Sequence, residues 1–180
     1  PTKLKIGCVS ADFGDHPGGY FSLSTLKELQ KKNFELIAYE TSNRKDEFSP
    51  YFKPLFSKWH LIEKKKDNEV VEQIIKDGIH ILIDLQGHSA KNRLPIFIYK
   101  PAPVQVTWLG CNASTGIKEI DYILVDPHVV PLSEQKYFCE KIIQLPNTFQ
   151  CILINDDVYF DRKKYRKKQE IVFGSFNSLS

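Results

Sequence analysis

The first segment with residues suited to chemistry is the loop at residues 10–19, SADFGDHPGG. His16 in this loop can donate or accept a hydrogen bond and can act as a base near neutral pH. The glycines allow the backbone to approach a ligand closely, and the helical pattern that follows offers free N–H groups to an anion. The loop lacks the GxGxxG pattern typical of nicotinamide and flavin sites. Two interpretations of His16 stay open: a catalytic residue, or an exposed loop histidine.

The second segment is residues 84–89, DLQGHS, which combines an amide, an imidazole and a hydroxyl around one glycine. Such groups suit hydrogen bonding to a sugar or a peptide backbone. The candidate substrate-binding residues are therefore Gln86, Gly87, His88 and Ser89. The alternative is that Asp84 and Ser89 only cap the helix that follows.

The third segment is residues 108–117, WLGCNASTGI. Its small residues leave room for a ligand, and Ser114 and Thr115 offer hydroxyl groups. The alternative interpretation is an ordinary turn.

Each of the three segments follows an apolar run that predicts a β-strand. These runs lie at residues 4–9, 79–85 and 104–109, and four more predicted strands lie at 34–39, 59–62, 122–125 and 141–145. Helical patterns at 21–29, 67–77 and 92–99 alternate with the strands. The alternation predicts an α/β fold with a Rossmann-like, mostly parallel sheet. Because ligands of such sheets bind at the carboxyl ends of the strands, we expect the three segments to meet at one edge.

Composition excludes several classes of protein. A net charge of +3 is too small to indicate a nucleic-acid partner or a membrane surface. No apolar run approaches the ~20 residues that span a bilayer. The four cysteines are far apart and form no CxxC pair, so we expect no metal site and no disulfide framework. A reducing, cytoplasmic compartment fits this use of cysteine.

Taken in order, five stretches of the chain resemble the catalytic region of the O-linked N-acetylglucosamine transferase family. They are KIGCVSADFGDHP, KDGIHILIDLQGHSAKNRLPIFIYKPAPVQVTWLG, STGIKEIDYILVDP, KIIQLPNTFQC and IVFGSFNSLS. Any one of them alone is weak, but together they are specific and cover nearly the whole chain.

The resemblance implies a GT-B architecture, in which two Rossmann-like lobes enclose the active site. We expect the amino-terminal lobe at residues 1–155, a charged linker at 156–169, and the first strand of a truncated second lobe at 170–180. Both ends of the chain are expected to be cuts in a longer protein. Family members usually carry tetratricopeptide repeats upstream, and none are present here.

The resemblance also implies an activity: inverting transfer of N-acetylglucosamine from UDP-N-acetylglucosamine to Ser or Thr hydroxyls of proteins, without a cofactor or a required metal. The implied partners are a nucleotide-sugar donor, a protein or peptide acceptor, and the missing carboxy-terminal lobe. We expect the isolated chain to be inactive, because that lobe would hold the uridine.

Residue roles follow from the same resemblance. His16 aligns with the active-site histidine of the family, and Gln86 and Ser89 with its acceptor-facing loop. The residues aligned near acceptor and sugar are Thr115, Gly116 and Ile117. Asn177 and Ser178 fall near the donor pyrophosphate, just before the family's donor-phosphate lysine.

The chain departs from the family pattern at two positions. Ala113 adds a side chain to a loop that usually reads Gly-Thr or Gly-Ser, and Tyr20 stands where a histidine is sometimes found. Two alternatives stay open: a related cytoplasmic enzyme that transfers glucose to asparagine, and a non-catalytic flavodoxin-like binding module.

Overall fold

The structure, a computed structural model, describes residues 3–152 and Gly174. Seven β-strands are present within these residues: β1 Leu4–Ser10, β2 Phe34–Glu40, β3 Lys58–Leu61, β4 Ile81–Asp84, β5 Val104–Trp108, β6 Tyr122–Val125 and β7 Lys141–Gln144. Two α-helices accompany them, α1 Pro17–Lys31 and α2 Asp67–Asp77. None of the helices in this part of the chain combines the length and the apolar character needed to cross a membrane.

All seven strands form one parallel sheet in the order β3-β2-β1-β4-β5-β6-β7. The predicted Rossmann-like α/β fold is therefore confirmed. The chain first builds outward from β1 to β3, then returns to the other side of β1 with β4. This reversal makes a switch point between β1 and β4. In open α/β sheets, the crevice at the carboxyl ends of two such strands is where ligands bind.

The two faces of β1 and β2 pack against different helices. Ile6 and Cys8 belong to the core cluster that also contains Leu26 of α1. Val9 and Ile37 belong to a second cluster on the opposite face, together with residues of α2. Successive residues of a strand point to opposite faces, so a central strand covered on both sides is apolar throughout.

One predicted helical segment is only a short 3₁₀ turn. The pattern at residues 92–99 corresponds to the 3₁₀ segment Leu94–Tyr99, which contains Pro95 and ends at Lys100 with a left-handed φ of 48°. Proline has no N–H to donate, so it fits the start of a turn better than the interior of an α-helix. Residues 156–169 and 170–180, predicted to be a linker and a strand, lie outside the described residues.

Thiol reactivity offers a test of the packing of β1. Burial raises the pKa of the Cys8 thiol to about 12, whereas Cys111, Cys139 and Cys151 are exposed. Because the thiolate is the reacting species, we expect three of the four cysteines to be alkylated rapidly at pH 8 and Cys8 only after denaturation. Peptide mass spectrometry after timed alkylation measures this. Labelling of Cys8 at the rate of the other three would contradict the predicted packing.

Candidate active site at the carboxyl edge of the sheet

His16 is the N-cap residue of α1. Its Nδ1 atom accepts a hydrogen bond from the backbone N–H of Gly18 at 3.1 Å. Since a neutral imidazole carries one proton, this bond places that proton on Nε2 and makes Nε2 a donor. The Asp12 carboxylate lies 3.3 Å from Nδ1, where it would pair with a protonated imidazole. The His16 side chain is 43% exposed, so a ligand can reach it.

The loop that holds His16 is braced by charged groups. The Arg44 guanidinium donates to the carbonyl of Asp15 at 2.7 Å and lies 3.7 Å from the carboxylate of Asp12. Asp46 accepts the N–H of Asp15 at 2.8 Å, and the Tyr20 hydroxyl donates to the Asp15 carboxylate. Burial alone would raise the pKa of Asp46, but backbone N–H donors, including that of Asp15, hold it below its ordinary value. The brace fixes the backbone that leads into the histidine.

Asp84, the last residue of β4, organises the second loop. Its carboxylate accepts the N–H groups of Gln86 at 3.2 Å and Gly87 at 2.8 Å. It also accepts the hydroxyl of Thr107 on neighbouring β5 at 2.8 Å. Burial raises the pKa of Asp84, and these three donors act in the opposite direction. The predicted alternative of Asp84 as a cap is thus partly right: it caps a turn, and not a helix.

Gln86, predicted to bind substrate on the acceptor-facing loop, has a buried side chain that is hydrogen-bonded within the protein. The residue is only 1% exposed. Its amide oxygen accepts the N–H of Ala11 at 2.9 Å and the hydroxyl of Thr41 at 3.2 Å. Its amide nitrogen donates to the carbonyl of Ala90 at 3.0 Å. Gln86 ties together the loops that follow β1, β2 and β4.

The third loop contacts the second directly. A Cβ added to Gly110 would lie well inside van der Waals contact of the Gln86 carbonyl and 2.7 Å from the nitrogen of Gly87. Farther along, Nε2 of His88 lies 3.1 Å from the carbonyl oxygen of Ser114. Because a carbonyl only accepts, His88 donates from Nε2 here. The predicted convergence of the three loops is therefore present in the structure.

The predicted residues of the third loop point away from the first two loops. Thr115 is buried and donates both its N–H, at 2.8 Å, and its hydroxyl to the carboxylate of Glu140. Ile117 packs against the core on the α2 side. Gly116 is exposed, with φ of 75°. The side chain of Thr115 is held by Glu140 and that of Ile117 is partly buried, and ligand contact by this loop stays a prediction.

A cleft of about 170 Å³ opens where the three loops meet. Its lining includes Asp12, His16, Phe21, Leu85, Ser89 and Leu109. Pockets that enclose a whole ligand usually measure about 300–1,000 Å³. This cleft can therefore hold a single group, such as a sugar ring or a side chain, and not a complete nucleotide sugar.

Of the larger concavities elsewhere on the described residues, two illustrate why none fits the chemistry as well. One, of about 440 Å³, is lined almost wholly by apolar side chains on the α1 face of the sheet, including Trp108 and Leu124. It lacks the polar groups that orient a sugar or a peptide. The other, of about 620 Å³, is lined by Arg44 together with further acidic and basic residues. The cleft beside His16 is the concavity at the switch point.

Among residues 3–152 and Gly174, no group of three or more His, Cys, Asp and Glu is arranged to hold a metal ion. The predicted donor-phosphate residues Asn177 and Ser178 lie outside the described residues. Sequence reasoning missed Glu140 and Arg44. Glu140 precedes a strand and lies 25 residues from its partner Thr115, and Arg44 lies 29 residues from Asp15, so no local pattern marks either residue.

A doubly wound parallel sheet with a polar cleft at its switch point belongs to the class of Rossmann-like ligand-binding lobes. The chain is a member of glycosyl transferase family 41, whose family model matches residues 1–172.

Relatives with described activities cover the same region. The UDP-N-acetylglucosamine–peptide N-acetylglucosaminyltransferase of Caenorhabditis elegans is 34% identical over 82% of this chain, which corresponds to 13% of that protein. The SPINDLY protein of Solanum lycopersicum, named a probable enzyme of the same activity, is 30% identical over 98% of this chain and 20% of its own length. The chain thus spans a fifth or less of these two relatives.

A solved structure has the same fold. The K341M mutant of the Thermobaculum terrenum O-GlcNAc transferase superposes with a TM-score of 0.79 and 32% sequence identity. The match covers 82% of this chain and 28% of that one.

Proposed function

We propose that the protein containing this chain transfers N-acetylglucosamine from UDP-N-acetylglucosamine to Ser or Thr hydroxyls of proteins, with inversion at the anomeric carbon. The observation that carries the proposal is the cleft at the β1/β4 switch point, which His16 and Ser89 both line, within the region that the family model matches. The chemistry named for the relatives supports the choice of donor and acceptor.

In the proposed reaction the acceptor oxygen bonds to the anomeric carbon while the bond from that carbon to the diphosphate breaks. UDP leaves with the electron pair, and the proton of the hydroxyl passes to the departing diphosphate. The Nε2–H of His16 is suited to donate to a reacting oxygen, because Nδ1 is already occupied by the N–H of Gly18. The first turn of the 15-residue helix α1 adds a positive dipole end at the cleft.

The small size of the cleft supports a division of labour. At about 170 Å³ it accommodates the reacting sugar or the acceptor side chain, so the uridine and diphosphate must be held by other parts of the protein. We assign those contacts to a second lobe of the GT-B type. The lobe described here then supplies the acceptor side of the reaction centre.

The test is a transfer assay with the longer protein, an acceptor peptide mixture and UDP-N-acetylglucosamine. We expect the peptide mass to rise by one N-acetylhexosamine, with fragmentation placing the sugar on Ser or Thr. UDP-glucose in equal amount serves as the competing donor. A hexose on asparagine, or no transfer from either donor, would refute the proposal.

A further inference from the structure

Glu140, the residue before β7, is a buried carboxylate without a role in the reaction as described so far. It is 0% exposed. One carboxylate oxygen accepts the hydroxyl of Ser114 at 2.8 Å. The other accepts both the N–H, at 2.8 Å, and the hydroxyl of Thr115. Its carboxylate therefore receives three hydrogen bonds from two consecutive residues of the third loop.

Ser114, one of the two residues held by Glu140, also contacts the second loop. The carbonyl oxygen of Ser114 lies 3.1 Å from Nε2 of His88 in the second loop. The hydroxyl oxygen of Ser114, which donates to Glu140, also accepts the backbone N–H groups of Gly116 and Cys139, each at 3.2 Å. The carbonyl of Ser114 therefore has a fixed position, and that position selects the Nε2–H form of His88. In this form the other ring nitrogen, Nδ1, is an acceptor.

From these contacts we infer that Glu140 is a positioning residue of the proposed transferase. It fixes the Ser114 carbonyl, and through that carbonyl it orients the exposed imidazole of His88, the residue next to the cleft-lining Ser89. The Nδ1 atom of His88 is then available to accept a hydrogen bond from a hydroxyl of the acceptor or the sugar. The identity of the substrate in this inference rests on the proposed function. The role of Glu140 in fixing the third loop does not depend on the proposed function. A buried carboxylate is costly unless its partners are in place, which is why the loop adopts one arrangement.

The test is a double-mutant cycle in the full-length protein, with Glu140→Ala, His88→Ala and the double variant. The two side chains share only the Ser114 peptide, so coupling between them reports the link. We expect Glu140→Ala alone to lower kcat/KM for the acceptor peptide about 10- to 100-fold, the range for lost charged hydrogen bonds. In the His88→Ala background the same change should cost less than about threefold. Equal losses in both backgrounds would overturn the inference.

Two further measurements separate positioning from simple destabilisation. Glu134→Ala, in the same β6–β7 connection, is the matched control and should leave kcat/KM unchanged. Hydrogen exchange at residues 111–117 should rise in Glu140→Ala and not in the control, whether or not the wild type transfers sugar. If Glu140→Ala does not fold, Glu140→Gln replaces it in the cycle, since its single amide oxygen loses one of the accepted bonds. Unchanged exchange in a folded Glu140 variant contradicts the inference, while absent transfer by the wild type contradicts only the proposed function.

Discussion

Replacing His16 with asparagine lowers kcat for sugar transfer by about 100-fold or more, the effect of losing a proton-transfer or oxyanion-contacting group. Asparagine is chosen because it is among the best N-cap residues, and its side-chain oxygen can accept the N–H of Gly18 as Nδ1 of His16 does. Helix α1 and its first turn are then preserved, and only the Nε2–H group is removed. Single-turnover kinetics of the full-length protein measure the chemical step directly.

Two further variants separate the effect on catalysis from the effect on the stability of helix α1. His16→Ala removes the cap as well, so it should lose activity to the same extent and also about 1 kcal/mol of stability. His128→Asn changes an exposed histidine at the end of β6 and should behave like the wild type. If His16→Asn retains full activity, then His16 serves only the helix.

Replacing Gly110 with alanine reduces the free energy of unfolding by about 3 kcal/mol, near the upper end for overpacked sites. The added Cβ would enter the space of the Gln86 carbonyl, a backbone group that no rotamer change can move away. Gln86 cannot retreat either, because hydrogen bonds to Ala11, Thr41 and Ala90 hold its side chain. The expected result is separation of the second and third loops and loss of the cleft.

Gly116→Ala is the matched control for this change. Gly116 has a left-handed φ of 75°, but a Cβ there would meet no atom within 4 Å. We therefore expect only the conformational cost of about 1 kcal/mol. Thermal unfolding and hydrogen exchange at residues 85–90 compare the two variants. Similar melting temperatures for both would show that the contact between Gly110 and Gln86 is not tight.

Much of the fold could be predicted from local patterns. The runs ILID and VQVTW are apolar enough for strands covered on both faces, and both are strands of the central sheet. Helix α2 ends where Gly78 permits a left-handed φ of 68°. The loop around His16 is predicted as a candidate site because it combines glycines, a histidine and a following helical pattern.

The roles of individual polar residues were harder to predict. Gln86 is one example, because an amide in a strand-end loop is equally suited to a ligand and to a neighbouring backbone. Which partner it meets depends on the strand order, since only a β1 placed beside β4 brings Ala11 within reach. Glu140 was missed for a related reason: its partners Ser114 and Thr115 come near it only when β6 and β7 pair.

The sequence by itself determined the strands, the two helices and the loops at which a ligand can bind, because apolar periodicity and glycine positions act locally along the chain. Only the tertiary structure decided which polar side chains in those loops reach the cleft. Their hydrogen-bond partners lie far away in sequence, and strand order and register bring them together. His16 and Ser89 line the cleft, while Gln86, Thr115 and Glu140 are buried and hydrogen-bonded between neighbouring loops.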